Sequence, residues 1–268
     1  ARAPGSPGRG GAGARGAGAG GGAGGGEDFV TRLAARFFGR ELMEDPAPMG
    51  MQRIDKPEMY PATTEATAAP VPGDAPEAAR LRPLLAGTQL EAAPLRLAFD
   101  AERDGWSAAA FHAGVDTFGA ALVVAETRGG ALVGGYNPRG WVGLGEEKTA
   151  IAAFLFTWPE GYQEGRALVD VKLPTVGGGA LALTDLEGSG PLFGVESLCV
   201  PLEGTGEAAK AAKSRLGSYF ARRPDGERTL FTAGEGRTAQ LNSLRVYVAE
   251  GEGEKWELDG IIWKTSKK

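Results

Sequence analysis

Apolar residues along the chain fall into two regimes, and the change comes near Leu81. Beyond it they gather in short runs: LRLAF (95–99), GAALVVAET (119–127), ALVGGY (131–136), AAFLFTW (152–158), ALVDVKL (167–173), ALALTDL (180–186), VESLCVPL (195–202), RTLFT (228–232), LNSLRVYVAE (241–250) and GIIWK (260–264). Each is short, β-rich and bounded by Gly, Pro or Asp, so each predicts a strand, and the series predicts an antiparallel β-sandwich. Two helices interrupt the pattern. Ser107 can cap SAAAFHAG (107–114), and EAAKAAKSRLGSYF (207–220) has the alanine content of a helix as far as Gly217. The fold class is therefore mainly β with short peripheral helices, filling a domain over 81–268.

Before Leu81 the pattern changes twice. Residues 1–26 are mostly Gly and Ala with three arginines, no acid and no large apolar side chain. Such a tail cannot repay the entropy of ordering and is expected to be disordered. Residues 27–44 carry one helical signal. Phe29, Val30, Leu33, Phe37 and Phe38 recur at near-helical spacing, while Arg32, Arg36 and Arg40 step by four on a separate stripe. This basic amphipathic helix either packs its phenylalanines on its own domain or docks them on a partner or a membrane surface. In the docking reading Phe29, Leu33, Phe37 and Phe38 bind, and Arg32, Arg36 and Arg40 add an electrostatic aid. Residues 45–80 hold DPAPMG, KPEMYP and AAPVPGDAP, and their prolines predict an extended linker.

Composition narrows the function classes. A net charge of −5 gives no global attraction to a phosphate backbone, so no nucleic-acid partner is expected. No apolar run approaches the roughly 18–20 residues that span a bilayer, which leaves at most a peripheral membrane association. The acid-free Ala/Arg/Gly start resembles what organelle-targeting peptides leave behind, so a plastid is the expected compartment, with the cytoplasm or a mitochondrion as alternatives.

Candidate chemistry is sparse. GLGEEKT (143–149) echoes a phosphate loop, but Glu147 stands where that loop needs Gly before the Lys. GAGARG (11–16) matches a dinucleotide fingerprint only as a string, since no strand precedes it. His112 is the only histidine and Cys199 the only cysteine, too few N and S ligands for zinc, so no metal or cofactor is expected. His112 beside Phe111 reads as a packed or half-exposed side chain. Cys199 sits at an apolar position, where a buried thiol is inert; the alternative is a weak peroxide-consuming enzyme that uses it. The residues argue against an enzyme.

In order along the chain come the strand Leu95–Phe99, the helix in DGWSAAAFH, the hairpin closing on GGYNPRGW, the FLF strand, the GPLFG turn and the late LRVYV strand. This series resembles the TLDc domain of the oxidation-resistance proteins, in its plant and algal type. The resemblance covers Leu81 to Lys268. It implies a two-sheet sandwich and a non-enzymatic interaction or regulatory module linked to oxidative-stress protection and attached to a larger complex. Several animal and fungal members bind the V-type proton ATPase. In the family, GGYNPRGW ends a hairpin strand, so Gly134 and Gly135 permit close approach, Asn137-Pro138 sets the exit and Trp141 covers the sheet edge. Many animal members place an acidic Gly-x-Gly-Glu stretch directly before the FLF strand. Here GLGE (143–146) lies seven residues away from it, so no role is carried to Glu146.

Overall fold

The computed structural model describes Arg53, residues 56–143 and 145–251, and the backbone of 256–258 and 261–263. The tail 1–26 and the helix at 27–44 lie outside the described residues. The rest is mainly antiparallel β-sheet with few short helices.

The strands are β1 (Leu95–Asp100), β2 (Ala121–Thr127), β3 (Leu132–Asn137), β4 (Glu146–Lys148), β5 (Phe154–Trp158), β6 (Lys172–Pro174), β7 (Leu183–Asp185), β8 (Leu192–Phe193), β9 (Leu198–Cys199), β10 (Ala211–Lys213) and β11 (Thr238–Ala249). A separate hairpin pairs β12 (Trp256–Leu258) with β13 (Ile261–Trp263). The main ladder runs β4-β7-β8-β9-β10-β11-β2-β3-β5-β6. The long strand β11 is its pivot. Residues 238–240 pair with β10, residues 245–249 pair with β1, and residues 241–248 pair with β2 around an extra residue at Asn242. The helices are α1 (Pro76–Leu81), α2 (Ala101–Asp104), α3 (Ala108–Val115) and α4 (Leu168–Val171).

Strand alternation sorts the apolar residues into two cores. On β2, Ala121, Val123 and Ala125 face one core, and Leu122 and Val124 face the other. The first core joins them to Phe111, Trp141, Leu155, Phe193, Leu198, Ala212, Phe220 and Val246. The second packs Tyr136, Phe154, Phe156 and Trp158 against Ala78, Leu81, Leu84, Leu85 and Leu90. A strand buried on both faces reads as a continuous apolar run, as β2 and β5 do.

The second core corrects the linker reading over 56–80; of 45–55, all but Arg53 lies outside the described residues. Residues 57–59 form a turn of 3-10 helix, Pro76 starts α1 at the position where its missing N–H costs nothing, and Tyr60, Ala68 and Ala78 are buried. Polar bonds fix this covering segment. The guanidinium of Arg82, fully buried, donates to both carboxylate oxygens of Asp74 and to the carbonyls of Leu90 (2.6 Å) and Ala93 (3.0 Å). Asp74 also accepts from the N–H groups of Val71 and Leu95. On α1, Glu77 accepts both from Arg245 and from the Tyr247 hydroxyl of β11. Proline barred a continuous helix here, yet it did not prevent an extended segment from packing.

Other boundaries move for similar reasons. The helix expected at 207–220 is one 3-10 turn, Ala208–Lys210, followed by β10. Pairing with β11 outweighs alanine's helix propensity, and burial alternates through Ala212, Ser214 and Leu216 with Lys213 and Arg215 outward. The run 167–173 splits into α4 and β6. Residues 228–232 form no strand, although Leu230 and Phe231 are fully buried.

β6 also places Lys172 inside the second core. Its Nζ donates to the Leu84 carbonyl (2.7 Å) and lies 4.1 Å from the centre of the Phe154 ring. Burial, helped by the charge of Arg53 and opposed by Glu91, lowers its pKa to about 7. Between about pH 10 and 7 the unfolded lysine takes up a proton that the folded one refuses, so folding stability falls as pH falls through that window. Wild type is thus expected to gain stability relative to Lys172→Met as pH rises from 7 to 9.5, read by urea denaturation at each pH; a constant difference contradicts the neutral buried amine. Phe193→Ala is expected to cost about 3–5 kcal/mol, because its ring is fully buried in the first core. Deleting residues 1–80 removes Tyr60, Asp74, Glu77 and Ala78, so the truncated domain is expected to lose cooperative thermal unfolding. An unchanged midpoint would return 56–80 to the status of a linker.

Candidate functional site

The docking residues expected from the sequence, Phe29, Leu33, Phe37, Phe38, Arg32, Arg36 and Arg40, lie outside the described residues. What the fold does position is the single histidine and the single cysteine, His112 and Cys199, and it places them in different surroundings.

His112 sits on α3, whose N-terminus is capped by Ser107 accepting from the Ala110 N–H. One turn back from the helix end, the ring meets acceptors at both nitrogens. Nδ1 donates to Asp116 Oδ1 (2.8 Å), and Nε2 donates to the carbonyls of Leu186 and Ser189 (2.9 Å each). A carboxylate and two carbonyls have no proton to offer, so only the imidazolium satisfies the whole set. Burial pulls the pKa down, but Asp116 and the two carbonyls outweigh it, and the net shift is upward. The ring is a cationic clamp between α3 and the 186–189 turn. With both N–H groups spent it has no free lone pair with which to take a proton from a nucleophile.

Asp185, at the end of β7, occupies the next position along that turn. Almost fully buried, it accepts from the N–H groups of Val142 (2.9 Å) and Gly143 (3.1 Å) and from Lys148 Nζ (3.1 Å). It thereby ties the exit from β3 to β4 and β7. Glu146 pairs in register with Asp185 at an exposed edge strand. Among the described residues, no group of three or more His, Cys, Asp or Glu side chains is arranged to hold a metal ion.

Cys199 lies on β9, opposite Lys213 of β10. Cys199 is 9% exposed, and its Sγ donates to the Val195 carbonyl (3.2 Å). Burial, reinforced by Glu196 and opposed by Lys213, pushes the thiol up to about 11. A thiol in that range is almost wholly protonated at neutral pH and is a poor nucleophile.

The thiol nevertheless forms part of a cavity of about 450 Å³, lined by Val195, Glu196, Cys199, Pro201, Lys213, Ser214, Arg215, Arg237 and Thr238. Because Leu198, Ala212 and Ala239 point into the first core, alternation turns Cys199, Lys213 and Thr238 to the opposite face of β9, β10 and β11. Arg215 pairs with Glu196 across the rim (3.1 Å), both side chains more than half exposed. No carboxylate among the described residues bonds the side chain of Lys213 or Arg237. Three cations against one acid make this a local basic site on an acidic chain. Sequence reasoning did not find it, because Lys213 and Arg215 fell inside an expected helix and nothing local links them to Arg237.

Comparison with protein-family models and with curated proteins found no match to this chain. Among the described residues, no helix is long and apolar enough to cross a membrane.

The imidazolium clamp has a testable pH signature. A histidine whose folded pKa is raised contributes stability that is fully present below its unfolded pKa, near 6.5, and is lost as pH rises through the folded value. The stability lost in His112→Gln is therefore expected to be largest at pH 6 and to shrink by pH 9. A deficit that grows with pH would show that the ring is held neutral.

Proposed function

We propose that this chain is a non-enzymatic interaction module of the TLDc type, linked to oxidative-stress protection. In this reading the ladder is a two-sheet sandwich hinged on β11: β1, β2, β3, β5 and β6 form one sheet and β4, β7, β8, β9 and β10 the other. Support comes from where the segments behind the resemblance meet. Phe111 from the short helix, Trp141 from the hairpin exit, Leu155 from the FLF strand, Phe193 from the GPLFG turn and Val246 from the late strand all belong to the first core. Trp141 stands edge-on to both Phe111 (5.2 Å between ring centres) and Phe193 (6.3 Å). It thus packs inside that core and does not cap an edge.

The observation that carries the non-enzymatic reading is how the reactive side chains are occupied. His112 spends both N–H groups on a clamp, Asp185 takes three donors, and Cys199 is a protonated thiol bonded to a carbonyl. Each is used to hold turns together. In the same reading the module attaches to a larger complex through Phe29, Leu33, Phe37 and Phe38, with Arg32, Arg36 and Arg40 setting the salt dependence, and it works in a plastid. The V-type ATPase enters only through the animal and fungal members that the sequence resembles.

Thiol kinetics separate this reading from a peroxide-consuming enzyme. Native Cys199 is expected to react with iodoacetamide at pH 7.5 about a hundredfold more slowly than a free cysteine, and peroxide consumption is expected to be the same in wild type and Cys199→Ser. Rapid alkylation, together with peroxide consumption that Cys199→Ser abolishes, would overturn it.

A further inference from the structure

We infer that the cavity floored by Cys199 binds a short acidic peptide segment of a partner protein; this deepens the interaction-module reading and rests on it. The cavity opens on the face of β9, β10 and β11 turned away from the first core. Lys213 and Thr238 stand opposite each other there, and the Ser214 N–H bonds the Arg237 carbonyl, which brings the start of β11 beside the end of β10. Lys213, Arg215 and Arg237 therefore reach one cavity from two neighbouring chain segments.

Charge and shape select the occupant. A long polyanion would meet the −5 net charge of the whole chain, whereas a short one can satisfy Lys213 and Arg237 at one place, with Arg215 already paired to Glu196. Val195, more than half exposed, and Pro201 add apolar wall, and the neutral thiol of Cys199 adds no charge to the floor. Alternating carboxylates and aliphatic side chains match that lining. Glu196, already bonded to Arg215, sets a limit: it repels a compact multiply charged anion but can accept an N–H from a peptide backbone. A volume of about 450 Å³ holds a few residues and no folded element.

The test is fluorescence anisotropy with a labelled octapeptide of alternating Glu and Leu, against the same peptide with Gln for Glu, on the full chain. Wild type is expected to bind the Glu peptide at least tenfold more tightly than the Gln peptide, with affinity falling as salt rises. Lys213→Gln/Arg237→Gln is expected to weaken that binding at least tenfold, while Arg103→Gln, an exposed cation on α2, leaves it unchanged. The bound peptide is also expected to slow alkylation of Cys199 further. Equal affinity for the two peptides, equal loss in the α2 variant, or displacement by inorganic phosphate as effective as by unlabelled Glu peptide would overturn the proposal. None of these results depends on peroxide consumption, so a failed peptide site leaves the non-enzymatic reading standing, and a thiol enzyme would be exposed by its own assay.

Discussion

Two adjacent residues without side chains, Gly134 and Gly135, set the spacing on which both cores depend. They lie mid-strand in β3, paired with Val124 and Val123 of β2 on one side and with Phe156 and Leu155 of β5 on the other. A Cβ on Gly134 would stand 2.0 Å from the Val123 carbonyl oxygen and 2.5 Å from the Phe156 ring. A Cβ on Gly135 would stand 2.8 Å from both the Phe193 ring and Leu155. Phe156 belongs to the second core, and Phe193 to the first. Neighbouring strand residues face opposite sides, so the two missing side chains let a ring close down on each face of one strand. Glycine normally weakens a strand interior, and here the packing of two fully buried phenylalanines offsets that cost.

Around that strand, charged side chains work as fasteners between layers. Arg82 with Asp74 braces the covering segment, and Asp74 with the Leu95 N–H and Glu77 with Arg245 and Tyr247 hold it to the sheet; Lys172 reaches the Leu84 carbonyl from the sheet side. His112 and Asp185 do the same for the turns at the other core. Each buried charge is met by several partners, the condition under which burial of an ion is tolerated. Lys172 is the exception in kind: it meets a carbonyl and a ring in place of a carboxylate, and so gives up its proton most readily. The groove beside Cys199 differs in having cations left over.

The β-rich class and the capped helix at Ser107 were legible in the sequence, because each rests on a local pattern, alternation and a capping serine; the close approach at Gly134 and Gly135 was expected from the resemblance of GGYNPRGW to a hairpin exit. The Asn137 exit was legible as well, and its side chain accepts from the N–H groups of Arg139 and Gly140 as a turn-forming asparagine should. What failed was whatever depended on distant pairing. Ala211–Lys213 has helix propensity but lies between β9 and β11, and no window around it reveals those neighbours. The covering segment looked like a linker since the bonds that anchor it to β11, Glu77 with Arg245 and Tyr247, are made across the fold. The basic groove was hidden for the same reason, with Arg237 brought to Lys213 only by the ladder.

Rings from both cores close over the glycine pair, and a double-mutant cycle between Gly135→Ala and Phe193→Leu, measured by chemical denaturation, tests that closure most directly. The clash at Gly135 is with side-chain atoms, so shortening the ring should relieve it: the added methyl should cost markedly less in the Phe193→Leu background, with a coupling of about 1 kcal/mol or more. The neighbouring pair supplies the contrast. At Gly134 the nearest obstacle is the Val123 carbonyl oxygen, so Phe156→Leu should give little rescue of Gly134→Ala. Strictly additive costs at Gly135 and Phe193 would contradict the claim that β3 is built thin to admit that ring.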